Sequence, residues 1–181
     1  IVSVNEYLVI KDEIYKNLGV NLNKNILRLE KINLPKNELH SKQVGFKSYP
    51  FKGNDFITNA SISIDSLKGK FVLLDFWAVW CIPCIEEMPN FKELYDKIDK
   101  SKFEIIGIVG DSPSSSLKKM IDKHAINWPQ ILSDDTNKIK ETFKIHEYPT
   151  TFLLNPEGVI VAKNIRGKEL ENKILSLINQ Q

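Results

Sequence analysis

Apolar residues follow two kinds of pattern along this chain, and the change comes near residue 60. From Val4 to Leu18 they stand at Val4, Leu8, Ile14, Tyr15 and Leu18, followed by Gly19. That spacing predicts a short amphipathic helix with a glycine stop. Asn25 to Leu34 alternates in part through Ile26, Leu27, Leu29, Ile32 and Leu34 before Pro35, which fits a strand. Lys36 to Asn54 is polar and carries Gly45, Pro50 and Gly53, the composition of a linker or an irregular edge.

The rest is patterned more sharply. Ala60 to Leu67 alternates through Ile62, Ile64 and Leu67, and Lys68-Gly69-Lys70 makes a turn. Phe71 to Trp77 is an almost continuous apolar run, as expected of a strand buried on both faces. Ile82 to Ile98 reads as a helix with core positions Ile85, Met88, Phe91, Leu94 and Ile98, and Pro89 should kink it or start a second segment. Phe103 to Val109 is a second buried strand. Ser112 to Ala125 opens on Ser-Pro and sets Leu117 and Ile121 on one helical face. A short strand at Ile131-Leu132 and a helix from Thr136 to Phe143 follow. Thr150 to Leu154 and Val159 to Ala162 are strands joined by the turn Asn155-Pro156-Glu157-Gly158, and Lys168 to Ile178 is a closing helix. Strand–helix alternation ending in a hairpin and a helix predicts an α/β fold with a mixed sheet and right-handed crossovers.

Composition narrows the class. The 181 residues suit one domain with an appendage better than two domains, and 42% hydrophobic with 27% charged residues is enough for a packed core. The net charge is +2, with acids and lysines interspersed, and Arg28 and Arg166 are the only arginines. Without a basic, aromatic-interleaved stripe, nucleic-acid binding is disfavoured. No apolar stretch approaches the roughly 20 residues of a membrane helix, since Phe71 to Ile85 is interrupted by Asp75 and Pro83. A signal or anchor upstream of Ile1 stays open.

The chemistry concentrates in Trp80-Cys81-Ile82-Pro83-Cys84, which holds the only two cysteines. One pair cannot form a disulfide framework. A Cys-x-x-Cys at the exit of a buried strand suits dithiol–disulfide exchange, with one sulfur attacking and the other resolving the mixed disulfide. With Cys81 capping the helix and Cys84 one turn in, unpaired backbone N–H groups favour the Cys81 thiolate. Cys81, expected to be the more exposed, is the attacker and Cys84 the resolver. Half a zinc site is the bland reading, but there is no second pair, and His40, His124 and His146 lack ligand spacing. Asp75 is the odd residue in its apolar strand: it either reaches water or a capping N–H, or is a raised-pKa acid–base group.

Asp75-Phe76-Trp77-Ala78-Val79-Trp80-Cys81-Ile82-Pro83-Cys84 resembles the active-site stretch of thioredoxins, and Tyr148-Pro149-Thr150-Thr151-Phe152 resembles their cis-proline strand. Glu86-Glu87-Met88-Pro89 and the extra helix and strand between Val109 and Thr136 are similar to the TlpA/ResA-type thiol–disulfide oxidoreductases of the bacterial cell envelope. The resemblance covers about Ser61 to Ile178. It implies a thioredoxin fold, a mixed central sheet flanked by helices with a helix–strand insert, over residues 43–181, preceded by an N-terminal extension over residues 1–42.

The resemblance also implies roles. Asp75 would take the Cys84 proton when Cys84 attacks the mixed disulfide. Thioredoxins often pair this acid with a lysine on the next strand, and Glu104 to Gly110 offers none. Tyr148-Pro149 would be cis, turning the Tyr148 backbone towards an extended client, with Trp80, Ile82, Pro83, Tyr148, Pro149 and Thr150 around it. Trp77 would pack beneath the site. Ile82-Pro83, lacking the histidine of strongly oxidising relatives, points to the reducing end of the range. Implied partners are a cysteine-containing client protein and an upstream thiol reductant, acting with a monomer in the cell envelope or periplasm, without cofactor or metal and with any membrane anchor outside this chain. His146 reads as a solvated loop residue, and Glu86 and Glu87 as a wet helix face.

Two alternatives stay open. A metal or haem-pathway binding module would use the dithiol as a soft ligand. A thiol peroxidase needs a threonine three residues before the attacking cysteine, where this chain has Ala78, and an arginine near the motif, where none is expected.

Overall fold

The computed structural model describes residues 3–179. Its first unit corrects the expected helix over Val4 to Leu18. β1 (Tyr7–Ile10) and β2 (Glu13–Asn21) form an antiparallel hairpin, with Leu8 opposite Tyr15 and Val9 opposite Ile14. The turn is Lys11-Asp12, both with positive φ (48° and 67°), the primed turn whose twist matches paired strands. Neither residue is glycine or asparagine, so the hairpin carries no strong turn signal. β3 (Ile26–Ile32) pairs with β2 as expected of a strand. Ile14, Leu39 and Phe46 form a small core beneath this sheet, with the Tyr7 ring stacked on Phe46 at 5.7 Å.

Glu6 ties this unit to the rest. Its buried carboxylate accepts hydrogen bonds from the Tyr49 hydroxyl at 2.8 Å and from Lys144 Nζ at 2.5 Å. Burial pushes the Glu6 carboxyl up, but Lys144 and Tyr49 outweigh it and hold it below the ordinary glutamate value. Lys36 to Asn54 is largely irregular, as its composition predicts, until β4 (Lys52–Asn54) pairs with β5 (Ser61–Ser63).

The larger sheet supports the site. β6 (Phe71–Trp77) is its central strand and is buried along its whole length, which is why its sequence is a run rather than an alternation. α1 (Ile82–Lys97) leads to β7 (Phe103–Val109), parallel to β6. α2 (Ser114–His124) leads to β8 (Gln130–Leu132), parallel to β7. α3 (Ile139–Thr142) precedes β9 (Thr150–Leu154), which runs antiparallel to β6, and β10 (Ile160–Lys163) pairs antiparallel with β9. α4 (Gly167–Ile178) closes the fold. The order β10-β9-β6-β7-β8 is a mixed sheet with helices on both faces, a thioredoxin fold.

Two expectations need correction. Of the two outcomes expected at Pro89, the second segment is absent, because α1 runs as one helix through a proline that cannot donate its backbone bond. The helix expected from Thr136 to Phe143 shrinks to the four residues of α3. The Asp134 and Asn137 side chains accept from the backbone N–H groups of Thr136, Asn137 and Ile139, giving this stretch a turn in place of helix bonds.

Side-chain alternation along β6 splits the core. Leu73 and Trp77 pack with Met88, Phe91, Leu117, Leu170 and Ile174 from α1, α2 and α4. Val72, Leu74 and Phe76 face Phe51, Ile139 and Phe143 on the other side. Each such fully buried side chain contributes about 1.5–3 kcal/mol of hydrophobic stabilisation, set against the entropy of ordering it.

Candidate active site

The end of β6 delivers the chain to the N-terminus of α1, with Cys81 at the N-cap and Ile82, Pro83 and Cys84 as the first turn. The Cys81 carbonyl accepts from the backbone N–H groups of Cys84 and Ile85, both at 3.1 Å. No side chain caps the helix, so the first-turn N–H dipoles are left to favour negative charge at the Cys81 sulfur. Cys81 and Cys84 are joined by a disulfide, Cα to Cα 5.3 Å. The expected difference in exposure is absent, because both residues are 3% exposed. What distinguishes Cys81 is its place at the helix end.

Asp75 lies two residues from both Leu73 and Trp77, so its side chain points to the α1 face of the sheet. It is 5% exposed. Burial pushes its carboxyl up to about 7, against the pull of Arg166, and Glu87 adds a like-charge push. Its neighbours across the sheet are Gly107 and Thr151, so no adjacent-strand lysine stands opposite.

The cation comes from elsewhere. Arg166, at the N-cap of α4, donates from Nη2 to the Pro149 carbonyl at 2.8 Å. Glu87 Oε1 accepts the Gly167 N–H at 2.6 Å, and its Oε2 accepts from Asn90. The expectation that no arginine lies near the motif is therefore wrong for Arg166, and the expectation of a wet face holds for Glu86 but not for Glu87. Periodicity cannot find them, since neither is apolar. One clue is on offer: Arg166 is one of two arginines in a lysine-rich chain.

The rim is aromatic. Trp80 and Ile82 are 61% and 67% exposed beside the buried disulfide, and Pro83 is exposed with them. The Trp80 ring meets the Tyr148 ring edge-on at 5.7 Å and 73°. The Tyr148–Pro149 peptide bond is cis. Thr150 is buried and its hydroxyl donates to the Glu147 carbonyl at 2.9 Å, so its side chain serves the loop rather than a client. His146 is exposed.

Trp77 lies beneath, and its indole N–H donates to Gln130 Oε1 at 2.9 Å, with both side chains buried. Gly107 makes room for that amide: a Cβ there would stand 2.0 Å from Gln130 Oε1. Among the described residues no three His, Cys, Asp or Glu side chains cluster as metal ligands, and no helix is long and apolar enough to cross a membrane.

Known proteins resemble this chain in sequence and in fold. Residues 44–163 match the AhpC/TSA family. A thiol-disulfide oxidoreductase ResA of Bacillus cereus is 34% identical over 132 residues, 73% of this chain and 75% of that protein. ResA of Bacillus subtilis is 34% identical over 119 residues, 65% of each chain. The crystal structure of the thioredoxin domain of a thiol-disulfide oxidoreductase from Bacteroides vulgatus superposes with a TM-score of 0.70 at 33% identity, covering 77% of this chain and all of that one.

Proposed function

The chain belongs to the AhpC/TSA family, and from that footing we propose that it is a disulfide reductase whose reacting pair is Cys81 and Cys84. It is a thiol–disulfide oxidoreductase, like the ResA proteins it resembles, and it acts on protein substrates with a partner reductant. The observation that carries the assignment of roles is the disulfide itself, with Cys81 at the uncapped helix end and buried Asp75 on the same face.

In the reduced form the Cys81 thiolate attacks one sulfur of a client disulfide, and the first client thiolate leaves and takes a proton from water. Asp75, ionised above a pKa of about 7, accepts the Cys84 proton. The Cys84 thiolate then attacks Cys81 Sγ and breaks the mixed disulfide. The second client thiol leaves, and the Cys81–Cys84 bond seen here is the product. An upstream dithiol supplies the two electrons that reopen it. Trp80, Ile82 and Pro83 on one side and Tyr148-Pro149 on the other are the proposed client surface, Thr150 contributing through its backbone.

Ile82-Pro83 places no charged or hydrogen-bonding side chain beside the sulfurs, which supports a reducing rather than an oxidising couple. Residues 1–42 are proposed as an extension to the 43–181 unit, supported by their separate sheet. The cell envelope is the proposed place of action, on the resemblance to TlpA/ResA-type proteins. A peroxidase is less well supported: Ala78 offers no hydroxyl, and Arg166 is engaged with the Pro149 carbonyl.

Replacing Cys84 with Ser tests the roles. Mixed with a disulfide-bonded protein such as insulin, the reduced Cys84→Ser protein should accumulate a covalent adduct through Cys81 that dithiothreitol releases. An adduct formed by Cys81→Ser instead would reverse the assignment.

A further inference from the structure

The loop after β7, Gly110-Asp111-Ser112, makes more bonds to the rim than its length suggests. Asp111 stands in the left-handed region at φ 48°, which aspartate tolerates better than most side chains. Its backbone carbonyl accepts the Trp80 indole N–H at 3.0 Å. Its carboxylate accepts the Tyr148 hydroxyl at 3.0 Å through Oδ2 and Lys140 Nζ at 2.6 Å through Oδ1. Lys140 pairs with the carboxylate and helps hold the Asp111 carboxyl below the ordinary aspartate value.

The neighbours of Asp111 fix the loop. Gly110 N–H donates to the Trp77 carbonyl at 3.0 Å, and Ser112 Oγ donates to the Gly110 carbonyl while accepting the Val79 N–H at 3.1 Å. A Cβ at Gly110 would lie 2.0 Å from the Tyr148 hydroxyl and 3.0 Å from Lys140 Cδ. The bare glycine lets both side chains cross it to reach Asp111. One residue thus fastens the aromatic that precedes Cys81 and the aromatic that precedes Pro149. Its cationic partner comes from α3, beyond the helix–strand insert.

We propose that Asp111 is a positioning residue for client recognition, holding Trp80 and Tyr148 as one rigid rim over the Cys81–Cys84 pair. Asp111 touches neither sulfur nor client and acts through the two rings. The proposal rests on the reading that Trp80 and Tyr148 meet the client. A rim fixed before binding spares the client the cost of ordering two side chains, so losing it should weaken client binding more than sulfur exchange.

The test compares wild type, Asp111→Ala, Asp111→Asn, Tyr148→Phe and Trp80→Ala, all as full chains. Reduced protein reacts with insulin as the protein disulfide and with 2-hydroxyethyl disulfide as the small one. Asp111→Ala should raise the insulin KM about fivefold with kcat within about twofold, a loss of the size one or two hydrogen bonds give. The small disulfide rate and the reduction potential should stay at wild-type values. Asp111→Asn, which keeps an acceptor for the Tyr148 hydroxyl, should restore the KM. Tyr148→Phe removes the same bond without touching the loop and should raise the KM even if Asp111→Ala folds poorly. Equal losses on both substrates, or a wild-type KM in Asp111→Ala and Tyr148→Phe while Trp80→Ala raises it, would overturn the proposal and leave the client surface intact. A wild-type KM in Trp80→Ala would overturn the client surface itself, and the proposal with it.

Discussion

Arg166 donates from its guanidinium to the carbonyl of Pro149 at 2.8 Å, and the same charge pulls against the burial of Asp75. One side chain ahead of the last helix therefore bonds to the cis-proline turn and moderates the rise in proton affinity that burial gives the acid. Glu87 opposes it electrostatically and is bonded to the next residue, Gly167, at 2.6 Å.

Replacing Arg166 with Met should raise the Asp75 pKa above its present value of about 7 and move the alkaline rise of mixed-disulfide resolution to higher pH. It should also lose about 1–3 kcal/mol of stability with the charge-assisted hydrogen bond. Carboxyl chemical shifts followed against pH in the reduced protein would read the first effect. Urea denaturation would read the second.

Asp75 itself sets a stability that depends on pH in the sense unusual for a carboxylate. Its folded pKa, about 7, lies above the ordinary 3.8, so between those values the folded chain holds a proton that the unfolded chain has lost. Its contribution is fully present below about pH 4, falls as pH rises towards 7, and is a constant penalty above that. Asp75→Asn should therefore be more stable than wild type at pH 8 by up to about 4 kcal/mol, at about 1.4 kcal/mol per tenfold change in proton binding, with the gap closing near pH 4. The same variant should slow release of the mixed disulfide about a hundredfold at pH 7.5, because the proposed acceptor of the Cys84 proton is gone. Denaturation curves at several pH values and quench-flow on the adduct would check both.

Gly107 is required by the layer beneath the site. In Gly107→Ala the new methyl would meet Gln130 Oε1 at 2.0 Å, and that amide is also held by Trp77 and by the Trp128 carbonyl. Moving it should cost about 3 kcal/mol through overpacking and a weakened buried hydrogen bond. The urea midpoint should fall with little change in slope, and buried Trp77 should show altered fluorescence.

Much of this is legible in the chain because it rests on periodicity and on chemistry packed into a short stretch. Phe71 to Trp77 has the run of a strand buried on both faces, and Cys81 to Cys84 follows at its exit, where a helix starts. The N-terminal hairpin escapes such a reading because Val4, Leu8 and Leu18 happen to fit a helical spacing, while the turn uses Lys11-Asp12 instead of a glycine. Arg166, Glu87 and Asp111 escape it for another reason. Each is a polar residue whose role comes from a partner distant in sequence, 17 residues away for Arg166, 80 for Glu87 and 37 for Asp111, and no local pattern records such a pairing.

The reduction potential of the Cys81–Cys84 couple, measured by equilibration in dithiothreitol and glutathione buffers at about pH 7, tests the central claim most directly. A reductase requires a value below about −230 mV, and that is the result expected for the Ile82-Pro83 dipeptide. A value between about −180 and −120 mV would make the protein an oxidase or isomerase and would contradict the account.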